Sequence, residues 1–221
     1  VWNVSLWGYK ERRTTPISPK TDEVLDSRCL PIILEHEKKS DKAIIMIHGL
    51  PSTPYSYNYA SHAAFKRGYD VFVPLLPGFG TTPDEFAGTS YFQWYSYMKE
   101  LYLEKRSQYK HLYIIGTSMG GAMTLNLGED FSEMHKPDAI CTIAAPVFLN
   151  NLPHGVVKNI LHYVVRTVAL FVSKIKPAIH MGNEKENDGD ELWIGYKGTF
   201  VQVGLSFLYA LKQIKKQLSS I

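Results

Sequence analysis

The turn inside YIIGTSMGGAMTLNLG, residues 113–128, constrains the fold of this 221-residue chain more than any other feature. An apolar run typical of a strand stops at a Gly-x-Ser-x-Gly motif, and a helical pattern begins directly after it. Gly116 and Gly120 flank Ser118, and glycines leave room where larger side chains would clash in a sharp backbone reversal. We therefore predict a strand–turn–helix unit with Ser118 at the apex of the turn, its hydroxyl pointing away from the sheet.

Ser118 in this setting is predicted to be a nucleophile. A helix that begins directly after the serine aims its backbone N–H groups and the positive end of its dipole at the hydroxyl. Such donors stabilise the oxyanion that forms when a hydroxyl attacks a carbonyl carbon. The predicted donors are the backbone N–H groups of Met119 and of Leu50, which lies in a loop after a second strand. The alternative is a glycine-rich helix start that only lets the helix pack closely on the strand.

Apolar runs alternate with helical patterns over the first two thirds of the chain. The predicted strands are residues 28–37, 43–49, 69–78, 111–116 and 138–146. The predicted helices among them are residues 57–66, 90–106, with Ser90 as N-cap, and 118–127. Short continuous apolar runs suit strands that are buried on both faces of a parallel sheet. The alternation therefore predicts an α/β fold with a mostly parallel central sheet and right-handed crossovers.

The alternation of strand and helix patterns stops after Pro146. We predict an α/β core over residues 1–149, an insertion over residues 150–198 that covers the site as a helical cap, and a return helix of the core within residues 199–221. The alternative for the insertion is a further helix that packs on the sheet. Within it, residues 156–175 are predicted to form an amphipathic helix, because three basic side chains recur there at four-residue spacing.

The charge and the cysteines exclude several classes of protein. The net charge is +3 and lacks the basic stripe interleaved with aromatic residues that nucleic-acid binding requires. Lys212, Lys215 and Lys216 are interpreted as a solvated helix face. Cys29 and Cys141 form neither a disulfide framework nor a metal-binding pair, and they favour a reducing compartment, the cytoplasm. No apolar run reaches the roughly 18 residues expected of a membrane-spanning helix.

Three segments in this order resemble the α/β-hydrolase superfamily. They are HGLPSTP at residues 48–54, VPLLPGFGTTP at 73–83 and GTSMGG at 116–121. They are most similar to its bacterial carboxylesterase and monoacylglycerol-lipase-like branch, and AAPVFLNN at 144–151 is similar to that branch's junction between sheet and cap. The resemblance covers residues 25–150 well and the cap region loosely.

The resemblance implies a serine hydrolase of carboxylic esters that uses a Ser-His-Asp triad, with no metal and no organic cofactor. Ser118 would be the nucleophile, and Leu50 and Met119 would be the oxyanion donors. The apolar cap suggests a small-molecule ester with an apolar acyl part. Candidate pocket residues, whose alternative is simple core packing, are Tyr55, Tyr57 and Phe79.

The base and the acid are the parts of this triad that the sequence does not place. His48 ends a strand just before the loop of Leu50, and we predict that its ring hydrogen-bonds to nearby backbone rather than acting as the base. The remaining candidate bases are His135, His154, His162 and His180. Of these, only His154 and His180 border the cap, whereas His135 is predicted at the far end of the sheet.

The candidate acids are no better placed. Asp138 starts a strand at the end of the sheet away from the site, and Asp188 and Asp190 lie in a polar loop. A calcium loop around Gly189 is rejected, because Gly195 stands where a bidentate glutamate is required.

In the resembled family the acid and the histidine follow the nucleophile along the chain, each after a late strand. No such strands follow the last predicted helix here, so we expect a further segment after Ile221 that carries two strands, the acid and the histidine. If no such segment exists, the alternative is a catalytically inactive hydrolase fold that binds an apolar ligand. A third possibility keeps the nucleophile but acts on thioesters, amides or peroxides.

Overall fold

A five-stranded sheet forms the centre of the protein. The structure, a computed structural model, describes residues 11–131, 135–147, 163–165, 167–181 and 194–218. The strands β1 to β5 are Ile32–Leu34, Lys42–Ile47, Asp70–Val73, His111–Thr117 and Ala139–Ile143, in the spatial order β1-β3-β2-β4-β5. β1 runs antiparallel to β3, and the other three pairings are parallel. The predicted α/β fold with a mostly parallel sheet is therefore confirmed.

Five α-helices have both ends within the described residues. The helices α1 to α5 are Asn58–Phe65, Pro83–Ala87, Tyr91–Gln108, Met119–Asp130 and Val201–Gln217. The predicted N-cap of α3 is confirmed, because the Ser90 hydroxyl accepts a hydrogen bond from the Gln93 N–H. The short α2 was not predicted, although Thr82 caps it and Pro83 occupies its first position, both of which are common helix-start signals.

The side chains of β2 show why the sheet has helices on both faces. Ala43, Ile45 and Ile47 belong to one buried cluster, which contains residues of α3, α4 and α5. Ile44 and Met46 belong to another, which contains Tyr57 and side chains of α1. Successive side chains of a strand point to opposite faces. The run AIIMI is continuously apolar because each face is covered by helices.

A β-hairpin stands where part of the amphipathic helix was predicted. Residues 163–165 and 167–169 are helical, but Lys174 and Ile175 open a strand, β6 (Lys174–His180). β6 pairs antiparallel with β7, Gly195–Phe200. The helix prediction was wrong at its C-terminal end, because a short apolar run does not discriminate helix from strand and the strand is fixed by distant pairing.

A helix, α5, lies where the return helix was predicted. Residues 199 and 200 still belong to β7, and α5 begins at Val201. The other residues of the predicted cap, 150–162, 166 and 182–193, lie outside the described residues. The division into core and cap stays a prediction.

Candidate active site

Ser118 occupies a sharp turn between β4 and α4. Its backbone has φ 53° and ψ −117°, and a positive φ is uncommon for a residue other than glycine. Such conformations store about 1–3 kcal/mol of strain and persist only where the surroundings fix them. Here the Ser118 N–H donates to the Ile143 carbonyl at 2.7 Å, and the Ala122 N–H donates to the Ser118 carbonyl at 3.1 Å. The serine is therefore held between the end of β5 and the first turn of α4.

Gly116 and Gly120 allow α4 to lie directly against the strands. A Cβ atom on Gly116 would stand 2.1 Å from the Gly120 carbonyl oxygen and 2.4 Å from the Thr124 hydroxyl oxygen. A Cβ atom on Gly120 would stand 2.1 Å from the carbonyl oxygen of Ile47, the last residue of β2. Neither position has space for a side chain, so the turn requires glycine at both.

The loop after β2 reaches the same turn. A Cβ atom on Gly49 would stand 3.1 Å from the Thr117 carbonyl oxygen and 3.2 Å from the Ser118 Cβ. Leu50, the predicted oxyanion donor, is the next residue, and Met119, the other, is the fully buried first residue of α4. The structure thus brings both donor-bearing segments to Ser118. Their roles as oxyanion donors stay predictions.

His48 has a structural role. It is fully buried, and its Nε2 accepts a hydrogen bond from the Leu76 N–H at 3.3 Å. This leaves the proton on Nδ1, which donates to the Gly49 carbonyl at 3.1 Å. Burial lowers the pKa of His48 to about 4, so the ring is neutral at pH 7. Both ring nitrogens are bonded to backbone, which confirms the predicted backbone role and leaves neither free to accept a proton from Ser118.

The neutral state of His48 predicts a pH dependence of stability. A histidine whose pKa falls from 6.5 to about 4 on folding stabilises the native state above pH 6.5, and that contribution is lost as the pH falls through 4. At about 1.4 kcal/mol per pKa unit, the loss is about 3 kcal/mol. We expect the difference in free energy of unfolding between wild type and His48→Gln to shrink by this amount between pH 7 and pH 4, as measured by urea denaturation.

Comparison with the variant is needed because the titration of Glu129 changes the free energy of unfolding in the opposite direction. Burial, with a smaller contribution from Asp130, raises the pKa of Glu129 to about 7, so this carboxyl destabilises the native state as the pH rises from 4.5 through 7. Both proteins contain Glu129, so its effect cancels in the difference. A constant difference across this range would contradict a neutral, buried His48.

The candidate acid Asp138 and the candidate base His135 lie at the end of the sheet away from Ser118. Asp138 precedes β5, accepts from Arg106 and lies 2.9 Å from the His111 Nδ1. Burial acts to raise its pKa, but these hydrogen bonds hold it below the usual value. His135 accepts a hydrogen bond from Tyr102 near the same end. The predicted exclusion of Asp138 and His135 from the site is consistent with this placement.

The described residues supply no base or acid to Ser118. Among them, no histidine or carboxylate is hydrogen-bonded to the Ser118 side chain. His180 is the last residue of β6, paired with Gly195. The remaining candidates, His154, His162, Asp188 and Asp190, lie outside the described residues.

The candidate pocket aromatics mostly pack inside the protein. Phe79 is fully buried, edge-on to the His48 ring at 4.8 Å. Tyr57 is 5% exposed, and its hydroxyl lies 2.6 Å from that of Thr117, the residue before the serine. Burial raises the pKa of Tyr57 to about 12, so its hydroxyl stays protonated at neutral pH. Core packing accounts for both residues. The hydrogen bond between the Tyr57 and Thr117 hydroxyls also stabilises the turn, and no pattern in the sequence predicted it.

No group of three or more histidine, cysteine, aspartate or glutamate side chains is placed to hold a metal ion within the described ranges. No helix in the same ranges is long and apolar enough to cross a membrane.

Comparison with known sequences agrees with this architecture. Residues 42–187 match the family described as alpha/beta hydrolase fold. Over 100 residues the chain is 34% identical to a thermostable monoacylglycerol lipase of Bacillus sp. (strain H-257), a match that covers 45% of this chain and 38% of that protein. Over 92 residues it is 28% identical to a carboxylesterase of Bacillus subtilis (strain 168), covering 41% and 37%. The matches thus span less than half the length of these relatives.

Solved structures show the same fold. The chain matches one of the metagenome-derived lipolytic enzymes LipS and LipT with a TM-score of 0.67 and 21% identity, covering 88% of this chain and 72% of that one. A monoacylglycerol lipase of Paleococcus ferrophilus gives a TM-score of 0.62 at 13% identity, covering 86% and 73%. Because the family match spans well over half of the chain and agrees with the sheet order and the turn at Ser118, the chain belongs to the alpha/beta hydrolase family, within which it is similar to bacterial monoacylglycerol lipases and carboxylesterases.

Proposed function

We propose that the protein hydrolyses carboxylic esters through an acyl-enzyme on Ser118. The observation that carries this proposal is the strained backbone of Ser118 at the start of α4, with the loop of Gly49 and Leu50 packed directly against it. Strained backbone conformations of this kind are concentrated at functional sites, where the surrounding structure holds them in place. The similarity to enzymes named monoacylglycerol lipase and carboxylesterase supports the choice of esters.

The proposed reaction has two halves. The Ser118 Oγ attacks the ester carbonyl carbon while a histidine takes the hydroxyl proton, and the N–H groups of Leu50 and Met119 hold the resulting oxyanion. Collapse of this intermediate breaks the bond to the alcohol oxygen, which leaves with the proton returned by the histidine. A water molecule then attacks the acyl-enzyme in the same way, releasing the carboxylic acid and restoring Ser118.

We further propose that the base and the acid lie outside the described residues, in a segment that follows Ile221. The exposure of β5 supports this. Four of its five residues are exposed, including Ile143 at 49%, although parallel strands are normally covered on both faces. A further strand beside β5, with its connecting helix, would cover this edge.

The acyl part of the substrate is proposed to be apolar. The described part of the predicted cap presents large apolar side chains to solvent, with Leu170 78% and Phe171 84% exposed. Contiguous apolar side chains at a surface are commonly covered by a ligand or another surface. Their place in the predicted cap, next to the hairpin that contacts the loop of Leu50, supports an apolar group bound nearby.

Covalent labelling by a fluorophosphonate tests the proposed function. The product of the native gene is expected to label on Ser118, with labelling lost in Ser118→Ala. If the base and acid lie outside these 221 residues, the 221-residue chain alone should label much more slowly, and equal rates would contradict that part of the proposal. Thermal stabilisation by an apolar ester analogue, without labelling or turnover, would point to the inactive binding protein.

Gly49→Ala is predicted to impair catalysis while the protein stays folded. The added Cβ would stand 3.1–3.2 Å from the backbone of Thr117 and the Cβ of Ser118, closer than ordinary contact, so the loop and the serine must separate by a few tenths of an ångström. Because oxyanion donors act only at hydrogen-bond distance, we expect kcat/KM for ester hydrolysis to fall about tenfold.

The matched control is Gly204→Ala in α5, where nothing lies within 4 Å of the added atom. This variant is expected to keep full activity. Unchanged kinetics in Gly49→Ala, at an unchanged melting temperature, would show that the contact between the loop and the serine does not matter for the reaction.

A further inference from the structure

A backbone hydrogen bond joins the hairpin β6–β7 to the loop of the predicted oxyanion donor. The N–H of Tyr196, the second residue of β7, donates to the Pro51 carbonyl at 3.3 Å. Pro51 directly follows Leu50. The hairpin therefore contacts the backbone two peptide units after the Leu50 N–H.

The Tyr196 side chain is fixed at its other end. Its hydroxyl accepts from the Thr81 N–H at 3.0 Å and lies 2.9 Å from the carbonyl oxygens of Gly78 and Thr81, to one of which it donates. Its ring stacks on Phe86, with ring centroids 4.6 Å apart, and the residue is 2% exposed. A buried phenol with this many partners has one orientation, so the Tyr196 backbone is held in place as well.

The same segment also holds the other side of the loop. The Leu76 N–H donates to the His48 Nε2, and Phe79 packs against the His48 ring. Leu50 therefore lies between two attachments to residues 76–81: one through His48 before it and one through Tyr196 after it. The first attachment is internal to the core, whereas the second depends on the hairpin β6–β7, most of which lies within the predicted cap.

We propose that Tyr196 is a positioning residue that holds the Leu50 N–H in place. The position of this N–H therefore depends on how the hairpin β6–β7 packs against the core. The catalytic consequence rests on the proposed function, whereas the attachment itself does not. An oxyanion donor must be held within a few tenths of an ångström to act in the transition state. Loss of the Tyr196 hydroxyl should therefore loosen the loop and lower kcat more than it changes KM.

Tyr196→Phe tests this, with Tyr102→Phe as the matched control. Tyr102 is also fully buried and its hydroxyl also donates to a backbone carbonyl, that of His135, but near the opposite end of the sheet. On the product of the native gene, we expect amide hydrogen exchange at Ser52 and Tyr196, whose N–H groups donate to the Gly49 and Pro51 carbonyls, to quicken about tenfold in Tyr196→Phe and to match wild type in Tyr102→Phe. We also expect kcat to fall about tenfold in Tyr196→Phe, with KM within about twofold of wild type.

The two measurements separate two kinds of failure. Unchanged exchange in Tyr196→Phe, or an equal increase in Tyr102→Phe, would overturn the positioning role, because the effect would then be absent or a general loss of stability. A wild-type protein that neither hydrolyses esters nor labels would overturn the proposed function, and exchange would still decide the attachment. Should Tyr196→Phe fail to fold, Phe86→Leu weakens the stacked ring without unpairing a polar group, and the same increase in exchange is expected.

Discussion

Ser118→Ala is expected to lower kcat for ester hydrolysis by about 10⁴- to 10⁶-fold, because it removes the only atom that forms the acyl-enzyme in the proposed mechanism. Fold stability should change little. Within the described residues the Ser118 side chain makes no hydrogen bond, and alanine carries the same positive-φ strain as serine. Steady-state kinetics on a short-chain ester, together with the melting temperature, measure both expectations.

Ser61→Ala is a suitable control for this comparison. Ser61 is buried, and its hydroxyl donates to the Asn58 carbonyl within α1, on the other face of the sheet from α4. We expect this variant to keep full activity at slightly reduced stability. Activity of Ser118→Ala within about tenfold of wild type would show that another group forms the covalent bond or that none is needed.

The turn at Ser118 was predictable because its signals are local. A strand, a sharp reversal and a helix follow one another within a few residues, and the glycines needed for the reversal stand on either side of the serine. The role of His48 was also predictable, because a polar residue at the end of a buried strand must satisfy its hydrogen bonds with nearby backbone. The structure agrees through two backbone partners.

The hairpin and its contacts were not predictable in the same way. β6 exists because it pairs with β7, a segment separated from it by residues that carry no strand signal. Tyr196 reaches Thr81 and Pro51 across more than a hundred positions of the chain, and periodicity within a window reports nothing about such contacts. Tyr57 and Thr117 present the same problem, since only the packing of the sheet brings the two hydroxyls together.

Gly120→Ala is expected to lower the free energy of unfolding by at least about 3 kcal/mol, and the protein should accumulate largely unfolded. The added Cβ would stand 2.1 Å from the Ile47 carbonyl oxygen and 2.6 Å from that of His48. Both are backbone atoms of the β2 end, at the centre of the sheet, so no flexible side chain can move aside. Alanine favours a helix over glycine by about 1 kcal/mol, and this clash must outweigh that gain.

A graded series of glycine variants separates the clash from helix propensity. Gly121→Ala, whose Cβ would stand 3.0 Å from the Ala145 Cβ and the Gly116 carbonyl oxygen, should be moderately destabilised. Gly204→Ala meets nothing within 4 Å and should be about 1 kcal/mol more stable than wild type. Urea denaturation of the three variants should therefore rank them Gly204, Gly121, Gly120. If Gly120→Ala were as stable as wild type, α4 would have to sit farther from β2, and the placement of Met119 beside Ser118, on which the proposed oxyanion site depends, would be wrong.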